Sequence, residues 1–96
     1  MTDRITIRHL DNLCDQLNKL TDSPMASYER NGDGQLKAQI GNHHISQQYG
    51  GVCLHRMFND GGGVTCPLDN YHGPKRELFE KMRAYVSGIE QGRANQ

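Results

Sequence analysis

The sequence predicts an α+β sandwich in a single domain: an antiparallel meander of three to four strands with the N- and C-terminal helices packed on one face. Three observations predict it. Apolar residues recur at three- and four-residue spacing near both ends, the middle alternates with a period of two, and glycine-bearing turns separate the alternating runs.

At the N-terminal end, Ile7, Leu10, Leu13, Cys14, Leu17 and Leu20 share one helical face, so a helix is expected over 7–20. Thr6 is placed to cap it, with Ile5 and Leu10 as a hydrophobic staple. Pro24 ends it within 21–23, because the residue before a proline is pushed out of the helical region. Ala26, Tyr28 and Arg30 then alternate with Ser27 and Glu29, Asn31-Gly32-Asp33-Gly34 turns the chain, and Leu36, Ala38 and Ile40 alternate with Lys37 and Gln39: a hairpin.

After a Gly41-Asn42 turn, His43, Ile45, Gln47 and Tyr49 point to one face of the next strand, and Gly50-Gly51 supplies the following turn. Val52, Leu54, Arg56 and Phe58 share the core-facing side of the next strand, with Cys53, His55 and Met57 on the other. The stretch 59–73 reads as a long loop around Gly61-Gly62-Gly63, well beyond the ~4 to 6 residues of an ordinary connection and so a place for function or mobility. Pro74 opens a second helix with the stripe Leu78, Phe79, Met82, Tyr85, Val86 and Ile89. Arg76/Glu80 and Glu77/Lys81 are spaced for support on its exposed side, Gly92 marks its end, and residues 93–96 form a frayed tail.

Length and composition narrow the function classes. Ninety-six residues make one domain, with its core over about 5–90, and 34% apolar residues at a mean hydropathy of −0.81 imply a thin core that a homodimer would supplement. Eleven Lys and Arg balance eleven Asp and Glu, which argues against both a nonspecific nucleic-acid binder and an acidic nucleic-acid mimic. There is no run of 18 apolar residues for a membrane span, and Met1 to Arg4 lack the start of an export signal. Three cysteines, Cys14, Cys53 and Cys66, fit reduced thiols in a cytoplasm better than a disulfide framework.

The candidate chemistry centres on His72-Gly73-Pro74-Lys75-Arg76, where two cations and a histidine crowd a helix start that intrinsically disfavours positive charge. Two readings stay open: a solvated start compensated by Glu77, or an anion site in which backbone N–H groups, Lys75 and Arg76 converge. Arg56 either closes an ion pair with Glu77, Asp60 or Glu80 or reaches an anion at the strand's end. Gly62 and Gly63 would let the backbone approach such a ligand, and Tyr49 and His55 would stack on its ring.

Metal binding is disfavoured: Cys53, His55, Cys66 and His72 lack the close cysteine pairs of structural zinc sites. The fragment 31–35 is a plain turn, because no glutamate completes a calcium loop. Catalysis by Cys53, His55 and Asp60 is disfavoured as well, since side chains two apart on a strand lie parallel rather than donor to acceptor. The expectation is a non-enzyme with no cofactor.

The strings Gly41-Asn42-His43-His44-Ile45-Ser46, Tyr49-Gly50-Gly51 and Leu54-His55-Arg56-Met57, the glycine run 61–63, and His72-Gly73-Pro74-Lys75-Arg76-Glu77-Leu78 resemble a family of small, functionally unassigned proteins of tailed phages and prophages of proteobacteria. The resemblance spans about Ile5 to Ile89. In that pattern an aromatic often stands where Val52 is, and Cys53 and Cys66 are not part of it. The resemblance implies a phage product in the host cytoplasm that counters a host defence. The leading expectation is therefore sequestration of an anionic, nucleotide-like ligand by Tyr49, His55, Arg56, Gly62, Gly63, His72, Lys75 and Arg76. The alternative is a protein inhibitor of a host defence complex such as a CRISPR effector, favoured if Arg56, Lys75 and Arg76 do not converge. The element order is also similar to a double-stranded RNA-binding domain, with Lys75 and Arg76 at the second helix start, so a nucleic-acid module is a lesser alternative.

Overall fold

In the computed structural model, residues 4–30, 32–68 and 71–94 are described. The first helix, α1 (Ile7–Leu20), covers the expected range. The Thr6 hydroxyl accepts from the His9 N–H at 3.4 Å, and the Thr6 N–H donates to His9 Nδ1 at 3.0 Å. Histidine thus takes the place that a glutamate usually holds in a reciprocal cap.

Two antiparallel sheets follow. Strands β1 (Tyr28–Arg30) and β2 (Leu36–Ala38) pair as an isolated hairpin, with Tyr28 opposite Ala38. Strands β3 (His43–Gln48), β4 (Gly51–Met57) and β5 (Val64–Thr65) form a second sheet in that order. The second helix, α2 (Lys75–Ala94), closes the chain. The α+β class is as expected, with two corrections to the single meander. The first hairpin forms its own sheet, and the third strand of the main sheet comes from within the stretch read as a loop.

The reason for the second correction lies at Asn59. Its side-chain oxygen accepts from the N–H groups of Gly61 and Gly63 at 3.0 and 2.8 Å, turning the chain so that Val64 and Thr65 pair back on Met57 and Arg56. The glycine run is a turn device. The β3–β4 turn also differs: its two central residues are Tyr49 and Gly50, both with positive φ (53° and 76°), while Gly51 belongs to β4. A type I′ geometry of this kind matches strand twist but is unusual for tyrosine. Gly51 is required for another reason, because a Cβ there would lie 2.5 Å from the His72 carbonyl oxygen, whose segment pairs with Val52 through Gly73.

The core is Leu10, Leu13, Cys14 and Leu17 of α1, Val52 and Leu54 of β4, and Leu78, Met82 and Val86 of α2, with Ile45 packed against it. Each fully buried aliphatic contributes roughly 1.5–3 kcal/mol. The helices run side by side in the same direction: the His9 and Phe79 rings meet near their starts, and Arg93 Nη1 donates to the Leu20 carbonyl near their ends. Phe58, expected to face the core, is exposed, whereas Met57, expected on the open side, is buried. Helix α2 also passes through Gly92 to Ala94. Expectations for Met1 to Asp3, Asn31 of the hairpin turn, Asp69 and Asn70 of the loop, and Asn95 and Gln96 of the tail lie outside the described residues.

Candidate functional site

The main sheet has two chemically different faces. The inner face presents Ile45, Val52 and Leu54 to the helices. At its far end His43 is sealed in by Asn18 of α1: the Asn18 Nδ2 donates to the His43 carbonyl at 3.2 Å, and the Asn18 Oδ1 accepts from the His43 N–H at 2.7 Å and from Nδ1 at 2.9 Å. Because Oδ1 only accepts, Nδ1 carries the ring proton and Nε2 is left buried without a partner among the described residues. Burial, then the facing Arg56 and His44, push the His43 pKa down to about 4.

The outer face carries a file of imidazoles and thiols. His44 pairs across the strands with His55, and Ser46 with Cys53. The rings of His44 and His55 meet edge to face at 5.6 Å between centroids, and those of His55 and His72 at 5.8 Å. Ser46 Oγ lies 2.9 Å from His72 Nε2, which ties the segment before α2 onto this face. Burial, then the neighbouring His44 and His72, lower the pKa of His55, and burial lowers that of His44, so both rings favour the neutral form. The donor atoms of Cys53, His55 and Cys66 all lie within 4.8 Å of one another. Cys53 is buried on this face, and His55 and Cys66 are half-buried. Cys14 is different: burial, then Asp11 and Asp15, drive its thiol up to about 12, and it stays an inert core residue.

Seven of the eight residues expected to hold an anion divide between the two ends of β4, and His55 lies within the strand. Tyr49 at the β3–β4 turn, and His72, Lys75 and Arg76 around the start of α2, belong to the end where Val52 meets Gly73. Arg56, with Gly62 and Gly63 of the β4–β5 turn, belongs to the other, roughly 13 Å along the strand. Arg56 closes no pair with Glu77, Asp60 or Glu80; its Nε donates to the Gly41 carbonyl at 3.2 Å, and Asp60 instead lies 3.8 Å from Lys37. The N–H groups of Gly61 and Gly63 are spent on Asn59. His55 reaches His72 but not the fully exposed Tyr49, whose turn lies several residues up the strand. Glu77 accepts from the Tyr71 hydroxyl and from Lys81 Nζ at 3.0 Å, contacts that hold its carboxyl below the usual range. A cleft of about 410 Å³ lies between the helices, lined by residues such as His9, Gln16, Phe79 and Arg83, and none of the eight is among its lining.

Sequence reasoning weighed Cys53, His55 and Cys66 together and disfavoured them on spacing, because the cysteines are thirteen positions apart and only the β5 ladder closes that gap. The alternation of Cys53 and His55 was the one local signal for a shared face. No family model matches the chain, and no curated protein or solved structure matches it either. No helix of the described residues is long and apolar enough to cross a membrane.

Proposed function

We propose that the protein is a non-enzymatic binding protein that acts by covering a surface of another protein. The observation that carries this reading is the end of the molecule built from the β1–β2 hairpin and the β4–β5 turn. Met25, Tyr28, Leu36, Ile40 and Phe58 are all about half exposed or more there, with Leu36 at 63%. They belong to one unit: the Ala38 N–H donates to the Asp60 carbonyl at 3.2 Å, and Tyr28 stands against Gly62. Grouped exposed apolar side chains mark contact surfaces more often than single ones do. The separation of Arg56 from Lys75 and Arg76 points the same way. The resemblance to phage proteins makes a host defence complex such as a CRISPR effector the first partner to test.

The test is plaquing of a targeted phage on cells that carry such an effector, with the protein supplied in its natural form or as Leu36→Asp or Ile40→Asp. Restored plaquing that either substitution abolishes, at unchanged melting temperature, supports the reading. Plaquing that both variants restore fully would sink it. A second reading, sequestration of an anionic nucleotide-like ligand, is supported by Tyr49, His72, Lys75 and Arg76 remaining together at one end of β4. Native mass spectrometry of the protein from defence-expressing cells, beside Lys75→Ala, decides it: a co-purifying small anion lost in the variant supports it, and a bare protein removes it.

A further inference from the structure

We propose that Cys53, His55 and Cys66 form a metal site on the outer face of the main sheet, selective for a borderline-soft divalent ion such as zinc. The proposal stands apart from the contact surface at the hairpin end. Two thiols and an imidazole lie within 4.8 Å of one another, donor to donor. Tetrahedral zinc bound at about 2.3 Å to sulfur and about 2.0 Å to nitrogen holds its ligands roughly 3.3–3.8 Å apart, so side-chain adjustment of about an ångström closes the set.

The backbone prepares this arrangement. Cys53 and His55 are two apart on β4 and so share a face. The β4–β5 register ends with Arg56 opposite Thr65, and one further step brings Cys66 beside His55. Two ligands therefore sit on β4 and the third directly follows β5, and the turn that sets the register is locked by Asn59. Two sulfurs and one nitrogen, with no carboxylate in the group, select zinc-like ions over magnesium or calcium. His72 is engaged by Ser46, so the three residues stand as the protein's own set and the fourth position is open to water. Cys53 is almost fully buried while Cys66 and His55 reach solvent, which gives the ion a path in from their side.

The experiment is titration of the fully reduced, folded protein with Co²⁺, followed by optical absorption and by competition with Zn²⁺. The expected result is one equivalent of cobalt with a thiolate-to-cobalt charge-transfer band and the visible bands of a four-coordinate ion, displaced by zinc, together with a rise in melting temperature. Cys66→Ser and His55→Gln lose the band, and Cys14→Ala keeps it. Cys53 is buried, so Cys53→Ser is read only if circular dichroism shows it folded, and the half-exposed Cys66→Ser carries the test otherwise. Absence of the band in reduced wild-type protein, or a band that survives Cys66→Ser, overturns the proposal. So does a Cys53–Cys66 disulfide that persists under mild reductant while no metal binds, since that would make the pair a cross-link.

Discussion

The two faces of one sheet are held by different forces. The inner face of β3 and β4 joins two helices through aliphatic side chains, and its cohesion is spread over many contacts, none of them chemically reactive. The outer face gathers polar and sulfur-bearing side chains from three stretches of chain: His44 and Ser46, Cys53 and His55, and Cys66 and His72. The aliphatic packing and the imidazoles and thiols are thus separated across the thickness of a single sheet. A substitution on one side should move folding, and a substitution on the other should move what the protein binds.

The largest effect should come from the inner face. Leu54 is 1% exposed, and Leu54→Ala should cost about 2–5 kcal/mol, from lost transfer energy and the cavity left behind. His55→Ala, one residue on and on the opposite face, should cost under about 1 kcal/mol without added metal. Urea unfolding of both variants checks this, and equal losses would break the distinction between the faces.

Acid tests the polar end of the inner face. The folded pKa of His43 is lowered to about 4 from an ordinary 6.5. Between these values the unfolded chain takes up a proton that the folded chain refuses, so stability falls as pH drops from about 6.5 toward 4 and then levels. The loss should be on the order of 3 kcal/mol. His44 and His55 are shifted in the same direction and add to the slope, and Arg56 is the cation facing His43. Unfolding free energies measured across this range, with His43→Gln as the flattened control, show how much of the acid response belongs to the inner face.

The smallest effect belongs to the turn where the faces meet. Tyr49 has a φ of 53° with its side chain fully in solvent, so Tyr49→Asn should raise stability by about 0.5–1 kcal/mol, because asparagine tolerates that conformation better. A melting temperature that falls would show that the tyrosine makes a stabilising contact on the folded surface.

The helices, the first hairpin and the inner-face residues were legible because their signals are local. Ile7 to Leu20 needs only a 3.6-residue period and a cap, Pro24 ends it sterically, and the alternation of Val52 and Leu54 follows from the strand pleat. Sequence alone also supplied the pairing of Glu77 with Lys81, which depends on helical spacing and little else. The arrangement of Arg56, of Phe58 and above all of Cys66 was decided by tertiary structure. The Asn59 carboxamide folds the glycine run into a turn, the turn creates β5, and β5 carries Cys66 across to Cys53 and His55. Similarly, nothing local to Arg56 indicates that the Gly41 carbonyl will accept from it. Periodicity reports which way a side chain points within its own element. Which distant residue meets it depends on strand register, and register is set by the turn and by the burial of both partners together.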